Sequence, residues 1–123
     1  MRGLGLDICS VERIEKAIQA HPSFLMRYYN ESERAYIAQK GKVGGQSAAA
    51  MYAAKEAFLK AVGTGINGEI PLDAIGVSHS DTGEPSYTLG EKALQKMQAM
   101  GATQTWLTIS HEAGVAVAVA ILE

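Results

Sequence analysis

The sequence holds a single cysteine, Cys9, so neither an internal disulfide nor a cysteine-clustered metal site is available, as expected of a reducing compartment. Cys9 reads as a small buried hydrophobe. Neither charge is in strong excess: 11 Lys and Arg against 13 Asp and Glu leave a formal net charge of -2, which gives no electrostatic reason to expect nucleic acid as a partner. No run approaches the ~18 consecutive apolar residues of a membrane span, and Met1-Arg2-Gly3-Leu4 leads into a candidate strand with no apolar leader or transit segment before it. A soluble, cytoplasmic protein without a membrane partner is the expectation. Gly3-Leu4-Gly5 lacks the third glycine of a dinucleotide fingerprint, and a P-loop, a nucleophile elbow, zinc-type His/Cys spacing and an aromatic stacking array are all missing.

What remains is ordinary globular material. The chain of 123 residues is 47% apolar and 20% charged, and a chain of this length buries roughly 65% of its unfolded surface, enough for one core. With no repeat or linker, residues 1–123 read as one domain. Leu4, Leu6 and Ile8 alternate with Gly3, Gly5 and Asp7, the period of a short strand with one apolar face, ending at Asp7. Ser10 caps a helix carrying Val11, Ile14, Ala17 and Ile18, which His21-Pro22 stops. A short helical stretch from Pro22 to Tyr29 precedes Asn30 and Glu33, whose spacing opens a capped helix to about Gln39. Lys40 to Gly45 reads as a mobile loop.

From Ser47 to Val62 helix formers are dense, with Met51, Ala54, Phe58, Ala61 and Val62 on a buried face and Gly63 as terminator. Glu56 and Lys60 lie opposite Phe58, flanked by the small Ala53 and Ala57, which leaves a face that a ligand can approach. After a loop with Asn67-Gly68 and Pro71, Ile75 and Val77 predict a strand, Asp81-Thr82-Gly83 a turn and Pro85 to Leu89 a returning strand. A helix over Ala93 to Met100 and a hairpin of Thr105–Ile109 and Val115–Ile121, joined through Ser110 to Gly114, complete the chain. The last strand is apolar on both faces, and either helices or a partner subunit would cover its second side.

Three segments carry chemistry. Asp7 is a carboxylate at a strand tip; Glu56 precedes Lys60 by one helical turn; Ser110-His111 lies in a late turn. Alone, Glu56 and Lys60 form an exposed helix pair contributing about 0.2–0.5 kcal/mol, and His111 is a solvated loop residue. Two carboxylates converging with a lysine are costly unless a divalent cation or a phosphate completes them. Magnesium takes oxygen ligands and keeps several waters, so Asp7 and Glu56 plus substrate phosphates suffice, with Lys60 as a point charge for the phosphate. His21 and His79 read as surface residues, and Lys40, Lys42 and Lys55 as solvated charges within reach of a phosphate.

Gly3-Leu4-Gly5-Leu6-Asp7-Ile8 with Arg13-Ile14, Ala53-Ala54-Lys55-Glu56-Ala57-Phe58 with Lys60 and Gly63-Thr64-Gly65, and Ser110-His111 before an Ala/Val-rich strand together resemble the holo-acyl-carrier-protein synthase family of phosphopantetheinyl transferases. The resemblance implies an α+β fold, a small antiparallel sheet packed with helices in the phosphopantetheinyl-transferase manner. It implies transfer of phosphopantetheine from coenzyme A to a serine of apo acyl carrier protein, releasing adenosine 3',5'-bisphosphate, in the service of fatty acid biosynthesis. It further implies magnesium on Asp7 and Glu56, catalytic roles for Asp7, Glu56 and Lys60, a coenzyme A site including Lys60, Gly63, Thr64, Pro85, Ser110 and His111, carrier docking near Arg13, and a homotrimer with sites between subunits. The proton of the serine is assigned to Glu56, a metal-bound water or Glu33. Met51 and Ser47 stand where many relatives carry an arginine and a bulky residue, so the anchor of the adenosine 3'-phosphate is either lost or moved to Lys40, Lys42 or Lys55, with coenzyme A affinity the property affected. A magnesium-dependent nucleotide pyrophosphate hydrolase and a non-catalytic coenzyme A or carrier-binding module are the alternatives.

Overall fold

The computed structural model describes residues 1–64 and 68–123, and the predicted Gly65 and Asn67 positions lie outside the described residues. In chain order the elements are β1 (Gly3–Ser10), α1 (Val11–Ala20), α2 (Phe24–Tyr28), α3 (Glu31–Gln39), α4 (Gly44–Ala61), β2 (Ile75–His79), β3 (Pro85–Leu89), α5 (Glu91–Ala99), β4 (Thr105–Glu112) and β5 (Val115–Leu122). Short 3-10 turns at Gly41–Val43 and Leu72–Ala74 link α3 to α4 and lead into β2. One antiparallel sheet has the order β1-β5-β4 and a second is the β2-β3 hairpin. Helices on antiparallel sheets make this the expected α+β fold.

Local chemistry sets most boundaries. Ser10 accepts from the Arg13 amide and starts α1. Asn30 and Glu33 close a complete capping box at the head of α3. At the foot of α4, Gly63 adopts φ +81°, with the Gly63 amide donating to the Lys60 carbonyl and the Thr64 amide to Leu59, a Schellman closure. The Lys40–Gly45 segment is not an open loop. It is a 3-10 turn feeding the first turn of α4, and Gly44 is buried against Ile37.

The core forms where α4 lies across β1 and β5, and the contact inverts the reading of β1. Gly5, Asp7 and Cys9 face inward, while Leu4, Leu6 and Ile8 are 58%, 54% and 60% exposed. A Cβ on Gly5 would come within 1.9 Å of the Ala57 carbonyl oxygen, so the strand approaches the helix at backbone distance. The same approach buries Ala53 and Ala57, the face predicted to be open to ligands. β5 follows this rule: Ala116, Ala118, Ala120 and Leu122 pack inward, and Val115, Val117, Val119 and Ile121 stay half-exposed. Beyond α4, the other helices and the β2-β3 hairpin complete the enclosure.

Two further expectations are corrected. β1 continues three residues past Asp7 to Ser10, so Asp7 sits within the strand, 7% exposed, rather than at its tip. The turn between β4 and β5 is only Ala113-Gly114, at φ 53° and 79°, the primed geometry that continues a right-twisted hairpin. Ser110 and His111 therefore belong to β4 and, by strand alternation, point to opposite faces of the sheet.

Candidate active site

Antiparallel register puts Asp7 opposite Ala118 on the inner face of β1, beneath the second half of α4. Tyr52, Glu56 and Lys60, each one turn from the next, form a row on α4 that meets it. Lys60 Nζ donates to Asp7 Oδ1 at 3.1 Å and to the Leu6 carbonyl at 3.0 Å. Burial raises the pKa of Glu56 and the charge of the adjacent Asp7 raises it further, against the lowering influence of the Tyr52 hydroxyl and Arg13. Tyr52 in turn is pushed up to about 12 by burial and by Glu56. Two carboxylates set against each other in a half-dry site present oxygen donors only, the set a hard divalent cation prefers, and their mutual repulsion is what such an ion relieves. Asp7 and Glu56 thus fit magnesium in kind.

Arg13 reaches this cluster from α1. Its guanidinium lies 5.9 Å from the Tyr52 ring centroid and donates to Cys9 Sγ at 3.6 Å, yet its residue stays exposed to solvent. Tyr52 in turn stacks on Phe24 at 6.0 Å, and Tyr28 meets both rings edge-on at 4.9 and 6.3 Å. One basic group is therefore shared between the carboxylate cluster and the outer surface of α1.

Other predicted residues gather elsewhere. A cavity of about 220 Å³ between α3, the first half of α4, the β2-β3 hairpin and β4 is lined by Tyr36, Gln46, His79, Pro85, Ile109 and His111. It contains the predicted Pro85 and His111. The cavity and the carboxylates share α4, with Gln46 and Glu56 about 15 Å apart along its axis at 1.5 Å per residue. Gln46 Nε2 lies 2.7 Å from His111 Nδ1, so the amide of α4 and the imidazole of β4 share a hydrogen bond at the cavity wall. Gly63 and Thr64 lie at the end of α4, where Thr64 Oγ1 is buried without a partner among the described residues. Ser110 opens on the opposite face of the sheet from Asp7 and His111, so a single chain does not bring it to either.

Three readings from sequence give way. Lys55 is fully buried, with Nζ 2.8 Å from Glu33 Oε1 and bonded to the Leu72 and Ile75 carbonyls, so it is no phosphate anchor. Glu33 is equally committed, accepting also from the Asn30 and Val77 amides, which removes it as a general base. His79 is no bare surface residue: it stacks on Tyr36 at 4.1 Å with 5° between the planes and lines the cavity. The Ile75-Val77-His79 alternation was the signal that would have turned it inward. Met51 is wholly buried and absent from the cavity wall, while Ser47 forms part of it.

Comparison with known proteins agrees with this architecture. Residues 3–120 match the ACPS family, the 4'-phosphopantetheinyl transferase superfamily. Holo-acyl-carrier-protein synthase of Treponema denticola is 40% identical over 98% of this chain and 97% of the relative, and that of Vibrio parahaemolyticus 41% identical over 98% and 96%. The crystal structure of the Neisseria meningitidis holo-acyl-carrier-protein synthase superposes with a TM-score of 0.88 at 34% identity, covering 100% of this chain and 98% of that one. The Helicobacter pylori synthase in complex with coenzyme A gives 0.82 at 35% identity over 98% and 99%. A family model matched over residues 3–120, relatives 40% and 41% identical over nearly their full length, and a shared fold place this chain in the holo-acyl-carrier-protein synthase family of phosphopantetheinyl transferases.

Proposed function

We propose that this transferase moves 4'-phosphopantetheine from coenzyme A to the serine hydroxyl of an apo acyl carrier protein, breaking the pyrophosphate on its pantetheine side and releasing adenosine 3',5'-bisphosphate. The observation that carries the reading is the convergence of Asp7, Glu56 and Lys60 where β1 meets α4, with a cavity of about 220 Å³ further along the same helix. Magnesium, when held by Asp7 and Glu56, supplies charge neutralisation for the pyrophosphate. Lys60 places a cation where negative charge grows on the leaving bisphosphate. With Glu33 committed to buried bonds, Glu56 or a metal-bound water takes the serine proton. Pro85 and His111 serve the adenosine end, Gly63 and Thr64 the helix end of the ligand path, and Arg13 the acidic docking surface of the carrier.

The same reading extends to assembly. Leu4, Leu6 and Ile8, with Val115, Val117, Val119, Ile121 and Trp106, give the uncovered sheet face a continuous apolar surface suited to another copy of the chain. A homotrimer joined there would hand Ser110 to an interface, and light scattering of Val119→Asp, expected to be monomeric, tests it. The single free cysteine suits a cytoplasmic enzyme of fatty acid biosynthesis.

Mass spectrometry of apo acyl carrier protein after incubation with the chain, coenzyme A and magnesium is the direct test. A gain of one phosphopantetheine mass is expected; an unchanged mass across several carriers overturns the proposal.

A further inference from the structure

Two cations flank the acid pair, and they differ in where else they point. Lys60 bonds Asp7 Oδ1 and the Leu6 carbonyl from the second half of α4. Arg13 arrives from α1, and its guanidinium is bracketed by a neighbour of each carboxylate. Its Nη2 stands 3.6 Å from Sγ of Cys9, which shares the inner face of β1 with Asp7 two residues away. Its Cζ lies 5.9 Å from the ring centroid of Tyr52, one turn of α4 before Glu56. Both brackets are buried while Arg13 is exposed, so one charge faces the acids on one side and solvent on the other. With two carboxylates against two cations, the cluster is balanced in the free chain. A divalent cation added to it leaves two positive charges in excess. Phosphates can meet that excess at Lys60, and an acidic group arriving over α1 can meet it at Arg13.

We propose that Arg13 couples magnesium at Asp7 and Glu56 to docking of the acidic carrier protein, so that each binds more tightly when the other is present. The assignment rests on the transferase reading above, which supplies both the carrier and the ion. It goes beyond docking, because it makes Arg13 the group through which one binding site responds to the other.

The sign follows from charge. In the free chain Arg13 is drawn towards the two carboxylates and opposes any further cation there. Burial and the charge of Asp7 raise the pKa of Glu56, and Arg13 is among the groups that lower it, so the guanidinium acts on that carboxylate through space. A carrier carboxylate paired with Arg13 offsets its repulsion of the ion. Conversely, Arg13 is repelled from an occupied acid pair and turns outwards, where the carrier meets it. Reciprocity requires the two gains to be equal. The other charges of α1 stand outside this exchange. Lys16 Nζ is 2.8 Å from Glu12 Oε1 with both side chains largely exposed, and Glu15 lies against Gly45 at the start of α4.

Calorimetry with magnesium chloride, at low ionic strength and without coenzyme A, reads the ion alone. Titration with apo acyl carrier protein in magnesium chloride and in potassium chloride of equal ionic strength reads the coupling, with the carrier's own magnesium uptake measured separately and subtracted. In wild type the carrier should bind about fivefold more tightly with magnesium. Arg13→Gln should tighten magnesium binding by the free chain about two- to tenfold, the opposite of what damage to the site would do, and bring the carrier ratio to about one. Lys16→Gln should keep the wild-type magnesium affinity and the wild-type ratio. Unmoved magnesium affinity in Arg13→Gln, or an equal shift in Lys16→Gln, overturns the coupling even where phosphopantetheine transfer proceeds normally. A wild-type carrier ratio of one, or an undiminished ratio in Arg13→Gln, does the same. A magnesium shift confined to Arg13→Gln, in a chain that binds and modifies no carrier, overturns the transferase reading and leaves the repulsion by Arg13 standing.

Discussion

Lys55 Nζ lies 2.8 Å from Glu33 Oε1, and neither side chain exposes any surface. The pair joins α3 to α4, and its remaining bonds reach the Leu72 and Ile75 carbonyls and the Asn30 and Val77 amides, which ties in the strand leading to His79. One residue before Glu56, the helix is thereby fixed against the hairpin that forms the cavity wall. Burial pushes the Lys55 amine below its ordinary range, and Glu33 opposes that push.

Lys55→Met would leave Glu33 charged, buried and unpaired, at a cost of about 3–5 kcal/mol. Adding Glu33→Gln should recover part of this, because the amide removes the charge and keeps an oxygen for a backbone amide. Denaturant titrations of both single variants and the double variant give the coupling. A double variant no more stable than Lys55→Met would show that geometry, rather than charge, dominates the pair.

Much of this was legible in the sequence because it is local. Ser10, the Asn30/Glu33 box and Gly63 each satisfy backbone groups within a few residues, and the element ends they predict are the ones found. The inward side of β1 was not legible, since the rule that large apolar residues point to the core fails where a helix lies at backbone distance from a strand. There Gly5, Asp7 and Cys9 fit, and the leucines turn outward. Lys55 was misread because nothing in an alanine-rich stretch marks a charge whose partner lies 22 positions earlier. Asp7, Glu56 and Lys60 were found through their chemistry, and their meeting needed only one strand beside one helix.

That closeness makes Gly5 a sensitive position. In Gly5→Ala the new methyl would meet the Ala57 carbonyl oxygen at 1.9 Å and the Ala61 nitrogen at 2.7 Å, both backbone atoms that cannot swing aside. The helix must shift, at an expected cost of about 1–3 kcal/mol or more, and Glu56 shifts with it relative to Asp7. Thermal unfolding and magnesium titration should both deteriorate. Wild-type magnesium affinity in a destabilised Gly5→Ala would mean that the acid pair is not set by this contact.

Glu56 gives the free protein a definite pH response. Its folded pKa is raised, so between the ordinary glutamate value and the raised one the folded state holds more protons than the unfolded state. Stability therefore falls as pH climbs through that window and stays lower above it. Glu56→Gln should flatten this slope and melt at a higher temperature than wild type near neutrality without divalent ions. Added magnesium should stabilise wild type and leave the variant unmoved. A slope that survives the substitution would assign the response to another group.

Lys60 separates two roles that a single activity assay would merge. Its side chain is 56% exposed, so its bond to Asp7 is screened and Lys60→Met should change stability by less than about 1 kcal/mol. The ammonium also competes for Asp7 Oδ1 with any cation that Asp7 and Glu56 hold. Removing it should tighten magnesium binding about two- to tenfold, because a like charge leaves the site. Turnover should nevertheless drop about 10²-fold, since the charge that meets the leaving bisphosphate is gone. Opposite movements of the magnesium Kd and of kcat are the signature, read by calorimetry and by mass spectrometry of the carrier. If magnesium binding weakens along with turnover, Lys60 acts by holding Asp7 in place; if turnover is unaffected, it has no part in the transfer.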